Sequence, residues 1–410
     1  MKMKFRTSNC ILVFFCVVAF AGCATYNARK VGPTPIEQAK TEIPEEQLLD
    51  VGILVFETKE VTPETAEKEG TNADIRKAET HFIPYHLKNT LHQSSHWGAI
   101  QVVPAETNSV DLMVKGKILE SNGEHLVLEI DVIDASQKRW FKKAYSAKAS
   151  DATYSGNTRG EKDAYQDIYN AIANDMARYK MKLTAAQIKN IRTIAKLKFA
   201  REFAPDAFGG YLKADDKNQL SVNRLPAKND PMMERLLQIR EREYMYVDTL
   251  NHQYEGFYAE MWPAYENWRQ LNLTERTAIK KIRREAMTKQ LIGALLIAGA
   301  IAAGSQDSNI GRTMAPAMVI IGGQVFISGW NVSKETQMHK AAIEELSDSF
   351  GAEMQPVTME FEGQQYELTG SAEEQFKNWK KLLHQIYFAE TGFEQTPPPD
   401  QSETKQDQDL

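Results

Sequence analysis

Residues 111–148 decide the fold: DLMVKGKILESNGEHLVLEIDVIDASQKRWFKKAYSAK. Leu112, Val114 and Ile118 fall on one side of an extended chain, and Asp111, Lys115 and Lys117 on the other. Successive side chains of a strand point to opposite faces, so this alternation predicts a sheet with one buried and one wet face. Asn122-Gly123 is a strong two-residue hairpin signal. Leu126, Leu128, Ile130 and Val132 then alternate with Val127, Glu129 and Asp131. Asp134–Lys138 turn the chain again, and Trp140–Tyr145 form a last strand. Upstream, Val51, Ile53 and Val55 alternate like a strand, and Ile100, Val102 and Val103 begin another. Between them Asp74–Ser95 read as helix, with Pro84 marking a break or a second start. The expectation is an α/β domain over residues 48–149: a strand, a helix, then a four-strand meander. It should fold alone, because the helix can cover the buried sheet face.

This element order, with Trp97-Gly98 before the second strand, resembles a small α/β domain of envelope proteins. Examples are the amino-terminal domain of the Tol translocation protein and the curli-secretion lipoprotein. The resemblance covers roughly a quarter of the chain and implies fold more than function.

Downstream the pattern turns helical. Lys162–Phe203 lack Gly and Pro, and residues 204–231 read as a loop. A long helix begins near Pro231, a residue suited to a first helical position. Val247, Tyr254, Met261 and Trp268 recur every seventh residue, and Leu250, Phe257, Ala264 and Leu271 follow three later. That is a seam for helix-on-helix packing, interrupted at Pro263. Its aromatic density also fits sugar stacking, but helical spacing alone explains a core stripe. This helical domain spans 158–290.

Two apolar runs follow a basic stretch, Leu291–Gly304 and Met314–Trp330. Fourteen helical residues cover about 21 Å, short of a hydrocarbon core of roughly 30 Å. Ala294, Ala298 and Ala302 share a face, with Gly299 and Ala303 beside them, which permits close helix contact. Residues 291–330 are therefore expected to form an apolar helical hairpin, either buried in the protein or an oligomer, or dipping into lipid. Residues 331–390 read as helix, β-hairpin, helix, with Ser371 and Glu374 as a capping box. Residues 391–410 are polar and Pro-rich, the composition of a disordered tail. The fold class expected is α+β: a strand-helix-meander domain, then a mostly helical region with the apolar hairpin and a small β-hairpin plus helix.

The amino terminus speaks to location. Lys2, Lys4 and Arg6 precede an apolar core, Ile11–Phe20, and then Ala21-Gly22-Cys23. The core is of signal-peptide length and too short to span a bilayer. The arrangement resembles a bacterial lipobox, although Phe20 stands where that family usually has Leu. The resemblance implies a signal peptide over residues 1–22, cleavage before Cys23, and acyl chains such as palmitate on its thiol. Ala24 in place of Asp resembles the class sorted to the outer membrane, facing the periplasm. Of three cysteines, Cys10 and Cys16 lie in the segment to be removed, so the mature chain has no internal disulfide. Residues 23–47, with Pro33, Pro35 and Pro44, read as a flexible tether. Removing three cations from a net charge of −6 gives −9, no footprint for nucleic acid.

Chemical motifs are sparse. His81, His86, His92 and His96 cluster, but Pro84 intervenes and no acidic ligand has metal-site spacing, so helix surface is the simpler reading. Asp248 and His252, four apart, read as local surface support. No phosphate loop, nucleophile elbow or zinc-protease pair is present. No cofactor, metal or catalytic residue is assigned. The expected function is a non-catalytic binding or assembly component of a cell-envelope complex, with lipid through Cys23 and other envelope proteins or further copies as partners. The alternatives are a self-assembling lipoprotein whose apolar hairpins form or seal an oligomeric membrane structure for secretion, and a cell-wall enzyme.

Overall fold

A computed structural model describes residues 28–59, 61–62, 71–150, 153–154, 162–302, 334–352, 354–361 and 364–392. The fold is mixed α/β. Its sheet contains β1 (Arg29–Lys30), β2 (Val51–Leu54), β3 (Glu57–Thr58), β4 (Ile100–Val103), β5 (Leu112–Ser121), β6 (His125–Asp134) and β7 (Arg139–Lys148). The order is β1-β7-β6-β5-β2-β4, with β3 also on β5. Alternation works as read: Leu112, Val114, Ile118, Leu128, Ile130 and Val132 are buried.

The four-strand meander is corrected to three strands. Only β5, β6 and β7 pair antiparallel in succession. β4 instead lies beyond β2 and parallel to it. The chain passes from β2 to β4 through helix α1 (Ala73–Ser94), and such a crossover returns the next strand parallel.

The expected break at Pro84 is also absent. Asn72 caps α1 by accepting from the backbone N–H groups of Asp74 and Ile75, and the helix then runs through Pro84. Proline leaves the carbonyl four residues earlier without its helical donor. That carbonyl, on Thr80, accepts from the Phe56 backbone N–H at 3.0 Å. Helix and strand edge thus satisfy each other.

Residues 28–39, expected as part of a flexible tether, are docked. β1 pairs with β7. Thr34 N–H donates to Asp167 at 2.9 Å, Glu37 N–H to Asn174 at 2.8 Å, and Ala39 N–H to the Ser94 carbonyl at 2.9 Å. Asp167 and Asn174 belong to α2 (Gln166–Lys180), so the segment joins sheet edge, α2 and α1. The Pro-rich composition that suggested a spacer supports an extended chain, whose exposed backbone groups these side chains fill.

α3 (Ala185–Phe203) follows a Thr184–Gln187 capping box and leads into the short α4 (Pro205–Phe208). A hairpin, β8 (Leu212–Ala214) and β9 (Leu220–Val222), occupies the expected loop. Asp230 accepts from the N–H groups of Met232 and Met233 to start α5, Pro231–Ala302, with Pro231 its first residue. The seam residues Val247, Leu250, Tyr254, Phe257, Met261 and Trp268 are core. No interruption occurs at Pro263. Pro263 and Ala259, the residue whose carbonyl Pro263 deprives of a donor, are both exposed residues. α6 (Lys334–Ala352) packs back on α5 and α1. The hairpin β10 (Val357–Phe361) and β11 (Gln364–Leu368) precedes α7 (Ala372–Thr391), whose Ser371–Glu374 capping box forms as read.

One apolar core runs from the sheet into all these helices, so residue 149 marks no break in packing. Trp140 of β7 stacks on Tyr179 of α2 with centroids 4.6 Å apart. The backbone of Ala294, Ala298, Gly299 and Ala302 lies in α5. Ala303, the rest of the expected hairpin, Cys23, the signal segment and residues 393–410 lie outside the described residues. No described helix is long and apolar enough to cross a membrane.

The β5–β6 turn is where α5 meets the sheet. Gly123 has φ +73°, and a Cβ there would sit 2.4 Å from the Arg269 carbonyl oxygen. Gly123→Ala combines a left-handed backbone with a backbone clash and should cost about 2–4 kcal/mol in urea unfolding. A loss below about 0.5 kcal/mol, within the range of ordinary surface changes, would contradict the close approach.

Candidate functional site

A cavity of about 990 Å³ opens where the end of α3, α4, the loop before β5 and α7 meet. Its floor is apolar, with Val110, Met113 and Ile133 from the sheet side and Phe203, Tyr387 and Phe388 from the helices. Helical spacing sets the polar wall. Lys198, Arg201 and Glu202 share a face of α3, and Lys380 and His384 share one of α7.

Glu202 and Lys380 form the central ion pair, Nζ to Oε1 at 2.5 Å, and Asn108 Nδ2 donates to the other Glu202 oxygen at 2.7 Å. Burial works to raise the pKa of Glu202, but Lys380 and Asn108 outweigh it and hold the carboxylate below its usual range. Behind this pair lies Glu243 of α5, fully buried. Burial pushes its pKa up. Thr107 Oγ1 donates to Oε1 at 2.5 Å. The His384 ring stacks on Phe203, centroids 4.1 Å apart, and burial lowers its pKa, favouring neutral imidazole.

Two neighbouring carboxyls with pKa values pushed in opposite directions are a pattern found in acid/base pairs. Here Glu243, whose pKa is raised, is buried beneath Thr107, and Glu202 is spoken for by Lys380 and Asn108. The arrangement is suited to holding a molecule, with apolar surface below and fixed polar groups above.

A second hollow, about 480 Å³, lies between α1, α2 and α5. His86 is buried there, Nδ1 2.6 Å from Tyr258 Oη and Nε2 2.8 Å from Gln166 Oε1. The amide oxygen can only accept, so Nε2 carries the proton and Tyr258 donates to Nδ1. Beside them Asp163 and Arg269 form a fully buried ion pair at 2.7 Å.

The four histidines do not converge. His81 stacks near Tyr254, His86 lies in the hollow, His92 is exposed, and His96 sits beyond the end of α1. No group of metal-ligating side chains occurs among the described residues. His252 Nδ1 lies 2.8 Å from the Asp248 carbonyl, while the Asp248 carboxylate accepts from Gln101 at 2.7 Å, so this pair is partly a helix–sheet link. Sequence reasoning missed Lys198, Arg201, Glu202, Glu243, Lys380 and His384. One signal was present: Glu243 stands seven residues before Leu250, a carboxylate on the apolar seam.

No family model matches this chain, and no curated protein does. Solved structures do. Two are PelC dodecamers from Paraburkholderia phytofirmans, one a point variant, at 9% and 10% identity. They cover 36% of this chain and 93% and 92% of their own, each with a TM-score of 0.20. Protein XCC0632 from Xanthomonas campestris, family-model DUF330, is 8% identical and covers 39% of this chain and 97% of its own, again at 0.20. A score that low carries no argument about this chain. No family model or named relative stands behind the likeness to the Tol or curli-secretion domains.

Glu243 gives a pH signature. A carboxyl whose folded pKa is raised binds more protons folded than unfolded, so its contribution to stability declines as pH rises above the ordinary glutamate value. Glu243→Gln keeps an acceptor for Thr107 and removes the titration. In denaturant titrations from pH 4.5 to pH 8, the variant should gain stability relative to the parent as pH increases. A constant difference would show that Glu243 does not titrate abnormally.

Proposed function

We propose that this chain is a lipoprotein of the outer membrane, held by acyl chains on Cys23 and facing the periplasm. It acts there as a non-catalytic binding or assembly component of a cell-envelope complex. The cleft of about 990 Å³ carries the binding part of this reading, because its central charges are tied to one another and its floor is apolar. That volume falls at the upper end of ligand pockets, roughly 300–1,000 Å³. The anchoring part rests on the sequence around Cys23. Partners are lipid through Cys23 and other envelope proteins or further copies.

The test is co-purification from cross-linked envelopes, comparing the parent with Cys23→Ser and Ala207→Trp. Cys23→Ser should leave an uncut precursor without lipid label, since no other mature thiol exists. Ala207 lines the cleft, and Trp there should fill it and lose the bound partner while processing stays normal. Lipidation at the same place in Cys23→Ser would overturn the anchor. Undiminished co-purification in Ala207→Trp would remove the cleft from the reading.

A second reading, self-assembly through the apolar hairpin, is favoured by the shape of α5. Lys280 still touches Glu124 beside the β5–β6 turn. The helix continues from 280 to 302, which is 22 further residues or about 33 Å. α6 packs against α5, and Leu291–Ala302 is the last stretch of α5. Ala298→Leu should clash with a close neighbour, cost about 1–3 kcal/mol and shrink the particle. Unchanged melting and particle size, with liposome binding that needs residues 291–330, would replace assembly by membrane insertion.

A further inference from the structure

The charges around the cleft are unequally satisfied. Of its carboxylates, Glu106 is paired with Lys115 and Glu202 with Lys380. Asp134 accepts from Ser136 and from Trp140 Nε1, and Asp111 accepts from the Asp50 backbone N–H with Arg192 and Arg240 about 4 Å away. Only Asp206, at the rim, has no such partner among these acids. The cations divide the other way. Lys198 and Arg201, both half-buried in the last turns of α3, have no carboxylate within 4.0 Å among the described residues. Each lowers the cost of an anion near the other, and each is repelled by the other while none is present. Cations do complement the carboxyl end of a helix, but that role is fulfilled at the surface and does not need an ammonium turned toward a cavity. Burial and the neighbouring Arg201 lower the pKa of Lys198, and the more distant charges of Glu202, Glu106 and Asp134 offset this only in part.

We propose that the cleft holds a single-chain anionic lipid, its head group between Lys198 and Arg201 and its hydrocarbon chain along Val110, Met113, Phe203 and Phe388. The proposal deepens the binding reading above, on which it rests, by naming the ligand class. Charge fixes the head: among the described residues Lys198 and Arg201 have no carboxylate within 4.0 Å, while nearly every acid of the lining is committed elsewhere. Packing fixes the tail: the floor offers aliphatic and aromatic surface, and each methylene buried there contributes about 0.8 kcal/mol. A neutral chain would gain the floor and leave the cations unpaired. A small inorganic anion would pair the cations and leave the floor wet. Only a molecule with both parts satisfies the whole cleft.

The test uses the full chain in nanodiscs of phosphatidylcholine. It is equilibrated with a diazirine-bearing palmitate, a diazirine-bearing lysophosphatidylglycerol, or the corresponding hexadecanol as the neutral control. After illumination, labelled peptides are mapped. One or both anionic probes should label residues 198–207 and 384–388 at least about tenfold more than the alcohol does, the equivalent of one 1.4 kcal/mol contact. Which of them does so tells a free acid from a phospholipid source. Lys198→Gln with Arg201→Gln should reduce the anionic labelling by a similar factor and leave the alcohol unchanged. Ala207→Trp should reduce all labelling within the cleft. Equal labelling by acid and alcohol, or labelling indifferent to the double variant, would overturn the proposal. If Ala207→Trp still loses its envelope partner while no anionic probe labels the cleft, the binding reading stands and the lipid assignment falls.

Discussion

The side-chain amide of Asn251 closes the outer edge of the sheet, and much of the molecule follows from it. β4 is the last strand on that side, and an edge strand presents unpaired backbone groups. Asn251 Oδ1 accepts from Val102 N–H and its Nδ2 donates to the Val102 carbonyl, both at 2.9 Å. A helix residue thus stands in for the missing strand. Both partners are buried, so leaving them unpaired would cost about 1–3 kcal/mol each. With α5 pinned there, its register against everything else is set. Eight residues earlier Glu243 reaches Thr107 behind the cleft, and seven later Tyr258 reaches His86. Further on, Tyr265 donates to Glu79 and Arg269 pairs with Asp163.

Those later contacts are polar groups inside an apolar core. Glu79 accepts from Tyr265, pairs with Arg76 at 2.9 Å, and also receives the Ser121 hydroxyl. Arg269 and Asp163 are both removed from water. Buried pairs add little net stability over well-packed hydrophobes, but breaking one costs about 3–5 kcal/mol. Sliding α5 by one turn would strand several at once. The aromatic seam supplies area and tolerates neighbouring registers; the buried charges penalise them.

Local pattern was legible and pairing across distance was not. Period-two alternation and Asn122-Gly123 gave β5 and β6 within a residue or two and β7 to within three, and the seven-residue repeat gave the buried face of α5. The place of β4 was misread because a parallel neighbour is fixed by the crossover, which leaves no mark on the strand itself. Pro84 and Pro263 looked like interruptions because the rule for proline concerns its own helix. Thr80 found its donor on Phe56, and Ala259 and Pro263 are exposed residues. The cleft was invisible for a different reason. Lys198 and Arg201 are nearly 200 residues from His384 and Phe388 along the chain, and each alone resembles an ordinary helix-surface residue.

The docking of residues 28–39 changes what a lipid on Cys23 would do. A slack spacer of two dozen residues would let the body wander and turn freely above a bilayer. With β1 fastened to β7 and Thr34, Glu37 and Ala39 fastened behind it, only residues 24–27 lie between the thiol and the first described residue. The five steps from residue 23 to residue 28 reach no more than about 18 Å. A body held on so short a leash would stay close to a bilayer and would turn one flank to it, the β1–β7 edge. Any pull on the acyl chains would then load that edge in shear before it reached the core.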